Sequence, residues 1–239
     1  MPKRYLEKNV LDAAMERLEI IFSEFENIYF CVSGGKDSSV MVQLANIVAE
    51  KLNKKFDVLY IDFEAQYKKT IEHIYDLKTL SQIRDFYHIA LPMALRNAVS
   101  VLQPKWICWE EKSRDIWVRE LPKDSINIHN CPFEWFREGE EFEEFILQFA
   151  DWYQKKYNTK VACGIGIRTD ESINRFRTIA FQERKTTYKY YRWTTKVKIQ
   201  EKHIDVYNFY PIYDWRVEDI WGAVSRLDLK FNEIYELMY

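Results

Sequence analysis

The sequence NIYFCVSGGKDSS at residues 27–39 decides how the rest of the chain is interpreted. Its first half is apolar after Asn27, which is typical of a strand buried on both faces. Two glycines and a lysine follow, and the apolar residues beyond them have helical spacing to about Leu52. A glycine turn between a buried strand and a helix directs backbone N–H groups at an anion, and the helix dipole attracts the same charge. The segment therefore predicts an anion-binding turn.

The side chains of this turn suit a phosphate group. Hydroxyls donate hydrogen bonds to phosphate oxygens, the lysine neutralises charge, and the aspartate either caps the helix or holds a magnesium ion. The residues concerned are Ser33, Gly34, Gly35, Lys36, Asp37, Ser38 and Ser39. The spacing excludes the GxxxxGK[ST] loop of nucleoside triphosphatases and disfavours the GxGxxG dinucleotide motif. A plain strand-to-helix turn with a serine cap is the alternative interpretation.

Strands alternate with helices along the chain. We predict strands at 27–33, 56–62, 88–92, 160–166 and 205–210, and helices at 7–26, 37–52, 66–85, 140–157, 169–184, 214–225 and 229–238. This order implies an α/β fold with a five-stranded, mostly parallel sheet and helices on both faces. We expect a single domain over residues 1–239.

Two segments interrupt this alternation. Residues 92–139 contain four of the six prolines and four of the eight tryptophans, which indicates an ordered insertion, since linkers are not rich in tryptophan. Residues 185–204 include the β-prone run at 186–200, which predicts a β-hairpin.

Composition excludes several classes of protein. With 47% hydrophobic and 30% charged residues among 239, the chain has enough apolar residues for a sizeable core. No apolar run reaches the roughly 18 residues of a membrane span, and residues 1–26 carry too many charges for a secretory signal. The net charge of −2 gives no general attraction to nucleic acid. The four cysteines form no CxxC pair, so we expect a reduced, cytoplasmic protein.

Glycine is scarce, and its positions mark two candidate sites. Only six glycines occur, and four of them lie close together in two places, as Gly34 with Gly35 and Gly164 with Gly166. Glycine is needed where the backbone turns with positive φ or approaches a ligand closely. The second pair lies at the end of the fourth predicted strand, so both places follow a buried strand.

Three ordered motifs resemble a known superfamily. SGGKDSS at 33–39 resembles the pyrophosphate loop (PP-loop) of the adenine nucleotide alpha-hydrolases, also called PP-loop ATP pyrophosphatases. GIRTDES at 166–172 resembles a segment of the phosphoadenosine phosphosulfate (PAPS) reductase-like group, and YPIYDWRVEDIW at 210–221 resembles one shared with the ATP sulfurylase small subunit. YIDFEAQY at 60–67 is most similar to the immunoglobulin-binding-regulator-type branch. The resemblance implies a Rossmann-like fold that binds an adenine nucleotide.

By this resemblance, the end of the second strand lies beside the adenosine. Residues 60–63, with Tyr60, Asp62 and Phe63 among them, are then expected to supply backbone contacts to the adenine, and Asp62 or Glu64 is expected to reach the ribose or a metal ion. The usual Leu-Asp-Thr-Gly of the family is replaced here by Ile-Asp-Phe-Glu. Asp62 as a strand-end carboxylate that caps the next helix is the alternative.

The segment after the fourth strand completes the implied site. Gly166 and Arg168 are expected to face the phosphates, because a guanidinium group forms paired hydrogen bonds to oxyanions. Asp170 and Glu171, together with Asp37, are expected to bind Mg²⁺ or to cap helices. Arg175 and Arg177 follow on the next helix, where one of them is expected to point inward, and Arg175 is the candidate for the nucleotide. The resemblance makes Lys36 and Arg168 the expected catalytic residues.

The resemblance allows two reactions. In the first, an acceptor attacks the α-phosphate of ATP and pyrophosphate leaves, with Mg²⁺ as the cofactor. In the second, a thiol reduces PAPS to sulfite, for which relatives use a cysteine in a C-terminal Glu-Cys-Gly segment. This chain has no cysteine after Cys163, so we expect ATP rather than PAPS. A subunit that binds the nucleotide without turnover, together with nucleic acid or a protein partner, is a third interpretation.

Residues 184–202 combine positive charge with aromatic rings. The basic residues are Arg184, Lys185, Lys189, Arg192, Lys196, Lys198 and Lys202, and the rings are Tyr188, Tyr190, Tyr191 and Trp193. Basic groups neutralise phosphates and rings stack on bases, so a nucleic-acid surface is one interpretation. A solvated hairpin with one aromatic face is the other.

Overall fold

The structure, a computed structural model, describes residues 7–96, 102, 104–181 and 186–238. Its strands are β1 (Asn27–Val32), β2 (Phe56–Ile61), β3 (Ile83–Ala90), β4 (Ala94–Arg96), β5 (Lys105–Ile107), β6 (Ile126–Asn127), β7 (Val161–Ile165), β8 (Thr194–Ile199) and β9 (Lys202–Phe209). Its α-helices are α1 (Val10–Glu24), α2 (Lys36–Lys51), α3 (Lys68–Lys78), α4 (Phe142–Tyr157), α5 (Ile173–Ala180) and α6 (Val217–Leu227). Short 3-10 segments span Glu111–Ile116, Tyr188–Tyr190 and Glu233–Leu237. None of the described helices is long and apolar enough to cross a membrane.

The α/β prediction is confirmed, with a seven-stranded sheet in place of five strands. The strand order is β6-β3-β2-β1-β7-β9-β8, and every neighbouring pair is parallel except β8 with β9. The two extra strands are the two-residue β6 and the hairpin strand β8. The chain runs from β1 to β2 and β3 on one side, and later adds β7 on the other side of β1. The crevice between β1 and β7 is therefore the switch point at which open α/β sheets bind ligands.

Two predicted strand boundaries were wrong. The helix predicted over 66–85 ends at Lys78, and β3 already begins at Ile83, because Arg84 and Asp85 hide the apolar pattern of its first half. The hairpin joins β8 to β9, so its second arm is the predicted fifth strand. The first part of the predicted hairpin forms a 3-10 turn at Tyr188–Tyr190 instead.

Three predicted helices are shorter in the structure. The helix predicted over 169–184 covers only α5, which begins after Ser172 as its N-cap. The helix predicted from Asp214 begins at Val217, because the Asp214 carboxylate instead accepts two hydrogen bonds from Arg17, at 2.8 and 2.6 Å. The last predicted helix is the 3-10 segment Glu233–Leu237.

The sheet separates two apolar layers. Helices α1, α2, α3 and α6 pack on one face, and α4 packs on the other together with the insertion. Strand β1 supplies Phe30 and Val32 to the first layer and Tyr29 and Cys31 to the second. The alternation follows from the two-residue period of a strand, and it places both layers against β1.

The insertion is attached to the end of β2 through buried polar groups. The Glu64 carboxylate accepts hydrogen bonds from the backbone N–H groups of Trp109 and Val118, at 2.8 and 3.0 Å. The indole N–H of Trp109 donates to the Asp62 carbonyl at 2.7 Å. Trp109 is fully buried and is a core residue, whereas Trp106, Trp117 and Trp135 are half-buried.

A buried carboxylate at Asp57 joins three elements at the opposite end of the sheet. Asp57 of β2 is completely buried and accepts two hydrogen bonds from Arg84 of β3, both at 2.9 Å. The hydroxyl of Tyr153 in α4 donates to the same carboxylate at 2.7 Å. Removal of the carboxylate leaves a cation and a buried hydroxyl without this partner.

We expect Asp57→Ala to lower the free energy of unfolding by about 2 to 4 kcal/mol, because breaking a buried pair leaves its partners uncompensated. Urea unfolding measures the change. The matched control is Asp205→Ala, since the exposed pair of Asp205 with Lys196 is expected to contribute at most about 1 kcal/mol. Equal effects of the two substitutions would contradict a structural role for Asp57.

Candidate functional site

A cavity of about 700 Å³ lies at the carboxyl ends of β1, β2 and β7 and is bounded by α4. It coincides with the switch point of the sheet, where ligands of open α/β folds bind. Its polar residues come from the glycine loop (residues 33–39) and from the segment after β7, and its apolar residues come from the sheet and α4. The cavity is therefore polar at one end and apolar at the other.

The cavity brings together many of the predicted site residues. Those that line it are Ser33, Gly35, Lys36, Asp37, Ser38, Phe63, Gly166, Glu171 and Arg175. Six others lie away from its surface, namely Gly34, Ser39, Tyr60, Asp62, Arg168 and Asp170.

The glycine loop owes its shape to Gly34. Its φ of +76° is a left-handed conformation that favours glycine, and an added Cβ would lie 2.7 Å from the Thr70 side chain. The turn delivers the chain to Gly35, the N-cap of α2, at which no side chain caps the helix. The N-terminal amides of α2 thus begin at the cavity, as the sequence predicts for an anion site.

Hydroxyl groups hold the loop closed on itself. Ser38 Oγ accepts a hydrogen bond from the backbone N–H of Ser33 at 3.1 Å and donates to the Gly35 carbonyl at 3.2 Å. Ser39 is fully buried, and its hydroxyl lies 2.8 Å from His73 Nε2. Burial lowers the pKa of His73 to about 4, so this ring is neutral near pH 7. Ser39 therefore supports the loop from behind.

Gly166 allows the end of β7 to approach α2 closely. A Cβ at this position would lie 2.8 Å from the Cα atom of Ser38 and 3.1 Å from its backbone nitrogen. Any side chain would force the loop and the start of α2 to move. Gly166 of the second glycine pair is thus required by a close approach of two backbones beside the cavity.

Arg168 does not face the phosphate site as the sequence suggests. It is buried, and its Nε atom donates to the Asp37 carboxylate at 2.8 Å. Asp37 sits in the first turn of α2 and is itself buried, so its charge requires a close cation. The Lys36 ammonium lies 3.5 Å from the same carboxylate. Arg168 therefore positions the start of α2 from behind the cavity.

Lys36 and Arg175 are the cationic side chains that line the cavity. Arg175 forms an ion pair with Glu171, which also accepts a hydrogen bond from the backbone N–H of Arg168 at 3.0 Å. Burial would raise the pKa of Glu171, but the hydrogen bonds from Arg168 and Arg175 outweigh it and lower the pKa. Glu171 is thus ionised and holds Arg175 at the cavity wall.

The predicted metal ligands do not form a protein-built metal site. Asp37 and Glu171 are each paired with an arginine, and Asp170 is exposed. No three His, Cys, Asp or Glu side chains converge as metal ligands within the described part of the chain. A magnesium ion that keeps its waters and binds substrate phosphates needs only one or two carboxylates, so these residues fit a Mg²⁺ carried by a nucleotide.

Asp62 and Tyr60 are fully buried and do not reach the cavity. The Asp62 carboxylate forms an ion pair with Arg119 of the insertion and lies 2.9 Å from His88 Nε2. Burial would raise the pKa of Asp62, but these hydrogen bonds outweigh it and lower the pKa. The expected ribose or metal contact is therefore replaced by attachment of the insertion. Of residues 60–63, Ile61 and Phe63 line the cavity.

Several cavity residues were not assigned to the site from the sequence, among them two cysteines and a tyrosine. Cys31 and Cys163 lie on the neighbouring strands β1 and β7, and their Sγ atoms are 3.7 Å apart in the cavity wall. Tyr235 lines the cavity from the 3-10 segment near residue 239. The sequence carried a signal only for the cysteines, whose place on strands was expected. Nothing local marks Tyr235.

Three lysines of the basic stretch form ion pairs. Lys189, Lys196 and Lys198 are paired with Glu24, Asp205 and Glu201 respectively. Tyr188 and Trp193 are buried, so they do not offer a stacking surface. Arg184 and Lys185 lie outside the described residues. These contacts favour the solvated hairpin with one aromatic face.

Cys31 should be a slow nucleophile even though it lines the cavity. The hydrogen bond with Cys163 and burial raise the pKa of its thiol, and only the thiolate reacts readily. We expect iodoacetamide to modify Cys31 at least about tenfold more slowly than glutathione near pH 7.5, with a rate that still increases above pH 9. Peptide mass spectrometry measures the rate, and a Cys31→Ser variant controls the assignment. Modification as fast as that of glutathione would contradict the assigned environment.

Comparisons with known proteins identify the family of this chain. A family model for the phosphoadenosine phosphosulfate reductase domain matches residues 27–239. YbdN of Escherichia coli K12 is 38% identical over 233 residues, which are 97% of this chain and 55% of YbdN. A protein of Methanocaldococcus jannaschii is 26% identical over 231 residues, which are 97% of this chain and 44% of that protein. The chain spans about half the length of these relatives.

A solved structure shows the same fold. The FMN adenylyltransferase of Candida glabrata superposes with a TM-score of 0.54 at 16% identity, over 97% of this chain and 62% of that one. This likeness supports the Rossmann-like α/β fold expected from the sequence. The family model covers most of the chain, including the glycine loop, β7 and the segment with Tyr235. The protein belongs to the phosphoadenosine phosphosulfate reductase domain family.

Proposed function

We propose that this protein binds ATP, as a magnesium complex, in the cavity beside the glycine loop and cleaves it between the α- and β-phosphates. The observation that carries the proposal is that the N-terminus of α2, whose N-cap Gly35 has no capping side chain, meets Lys36 and Arg175 at one cavity at the switch point of the sheet. Family membership supports a nucleotide ligand. The preference for ATP over PAPS is part of this proposal.

The polarity of the cavity suits the two ends of a nucleotide. The glycine loop and Arg175 provide N–H groups, hydroxyls and positive charge for phosphates. Phe63 and the α4 residues Phe142 and Ile146 provide an apolar wall for a flat base. A second solved structure of the Candida glabrata adenylyltransferase is a complex with ATP, and it shares this fold with a TM-score of 0.53.

The proposed reaction joins AMP to an acceptor. An acceptor oxygen bonds to the α-phosphorus, the bond from that phosphorus to the bridging oxygen breaks, and pyrophosphate leaves. Lys36, Arg175 and the α2 amides stabilise the charge on the leaving group, and no protein nucleophile is required. Magnesium, when bound with the nucleotide, neutralises phosphate charge. Arg168 contributes indirectly by holding Asp37 and the first turn of α2.

Reduction of PAPS is the second candidate function, and membership in this family favours it. It needs a nucleophilic thiol, and among the described residues the thiols that line the cavity are Cys31 and Cys163. The raised pKa of Cys31 opposes this role. A nucleotide-sensing subunit without turnover would use the same loop. The links to sulfur or nucleic-acid metabolism, to the immunoglobulin-binding-regulator branch, to a protein partner and to the cytoplasm stay predictions.

Lys36→Ala tests the proposed site. We expect ATP with Mg²⁺ to bind at least about tenfold more weakly to this variant than to wild type, because a hydrogen bond to a charged group is lost. Lys68→Ala is the matched control, since the Lys68 side chain is 90% exposed. Titration calorimetry with ATP and with PAPS measures both affinities. Tighter binding of PAPS by wild type would contradict the preference for ATP.

Gly166→Ala tests the close approach behind the loop. The added Cβ pushes against the backbone of Ser38, so we expect ATP turnover or binding to fall by about tenfold or more through misplacement of the loop. Gly222→Ala is the matched control, because a Cβ at Gly222 has no atom within 4 Å. The proposal fails here if both alanine variants bind ATP as wild type does.

A further inference from the structure

Tyr235 contacts the glycine loop directly, although 199 residues separate it from Lys36. Its hydroxyl oxygen accepts a hydrogen bond from the backbone N–H of Lys36 at 3.1 Å. The Lys36 ammonium lies 5.6 Å from the centre of the Tyr235 ring. Tyr235 also lines the cavity. Its hydroxyl therefore stands at the first amide of α2, where the proposed function requires a phosphate oxygen.

The segment that carries Tyr235 is fastened to the loop by other groups. The buried Asn232 side-chain amide donates to the Gly34 carbonyl at 3.0 Å and to the Thr70 hydroxyl at 2.9 Å. Gln43 of α2 exchanges two hydrogen bonds with the backbone of Lys230, at 2.7 and 2.9 Å. The Tyr235 hydroxyl is thus not needed to hold this segment in place.

The hydrogen-bonding capacity of the hydroxyl is only half used. A phenol both accepts and donates, and here it accepts from Lys36. Within the described ranges, no residue accepts the O–H of Tyr235, so this proton is available to a ligand in the cavity. A phosphate oxygen near the Lys36 amide is also within reach of the Tyr235 O–H.

We propose that Tyr235 is a phosphate-binding residue of this site, whose O–H donates to a phosphate oxygen of the nucleotide. The inference rests on the proposed function and adds to it a phosphate-binding residue that is distant in the sequence from the glycine loop. The hydroxyl accepts from the Lys36 N–H in the structure, and with a nucleotide bound the Lys36 N–H and the Tyr235 O–H would both donate to the phosphate. Adenosine, which has no phosphate, gains nothing from the hydroxyl.

Tyr235→Phe tests this role without loss of the ring, which packs against Trp221 at 5.5 Å. The binding of ATP, PAPS and adenosine to wild type and variant is measured by titration calorimetry. We expect the variant to bind the phosphorylated nucleotide preferred by wild type about tenfold more weakly, with adenosine affinity and unfolding midpoint unchanged. Tyr190→Phe is the matched control, since Tyr190 is 75% exposed.

The outcomes separate the two proposals. Unchanged or tighter nucleotide binding by Tyr235→Phe would overturn the role of Tyr235. The hydroxyl would then only accept the Lys36 N–H and make no hydrogen bond to the nucleotide. A wild-type protein that prefers PAPS would overturn the choice of ATP, and weaker PAPS binding by the variant would still support Tyr235. A wild-type protein that binds neither nucleotide overturns both proposals.

Discussion

The parallel pairing of β1 with β7 is the constraint on which the candidate site depends. It places the two glycine turns side by side, and Gly166 lets their backbones meet at a distance that no side chain would permit. The same approach buries Asp37, and Arg168 from the segment after β7 supplies the compensating charge. Sheet topology, glycine placement and a buried ion pair thus act together to fix one helix N-terminus against one cavity.

How far the sequence predicts the site depends on how local each interaction is. The glycine loop and the strand before it were predictable, because a buried strand, a glycine turn and a helix follow one another within residues 27–52. The partners of Arg168 and Asp62 were not, since each pairs with a residue that only the tertiary fold brings near. Motif spacing placed Arg168 in the right region, but the direction of its side chain depends on the buried carboxylate of Asp37.

The same distinction explains the errors in secondary structure. Strand β3 begins with exposed charged residues, so its apolar half alone was visible as a strand. Strand β8 joins the sheet by antiparallel pairing with β9. The composition of residues 186–200 suggested a hairpin but did not determine the register of this pairing. Asp62 and Glu64, which resembled nucleotide ligands by position, bind the insertion instead. Contacts between residues that are far apart in the sequence decide these roles, and hydrophobic periodicity carries no information about such contacts.

The hydrogen bond from Asn232 to Gly34 spans 198 residues and has a consequence for the order in which the site is assembled. The loop follows β1 early in this sequence, whereas these supporting contacts come from the segment with Asn232 and Tyr235. Until that segment docks, the Gly34 carbonyl lacks its amide partner and the Lys36 amide lacks its hydroxyl partner. The glycine loop is therefore completed only when residues that lie 198 and 199 positions later in the sequence dock onto it, so a partly folded sheet lacks the finished loop.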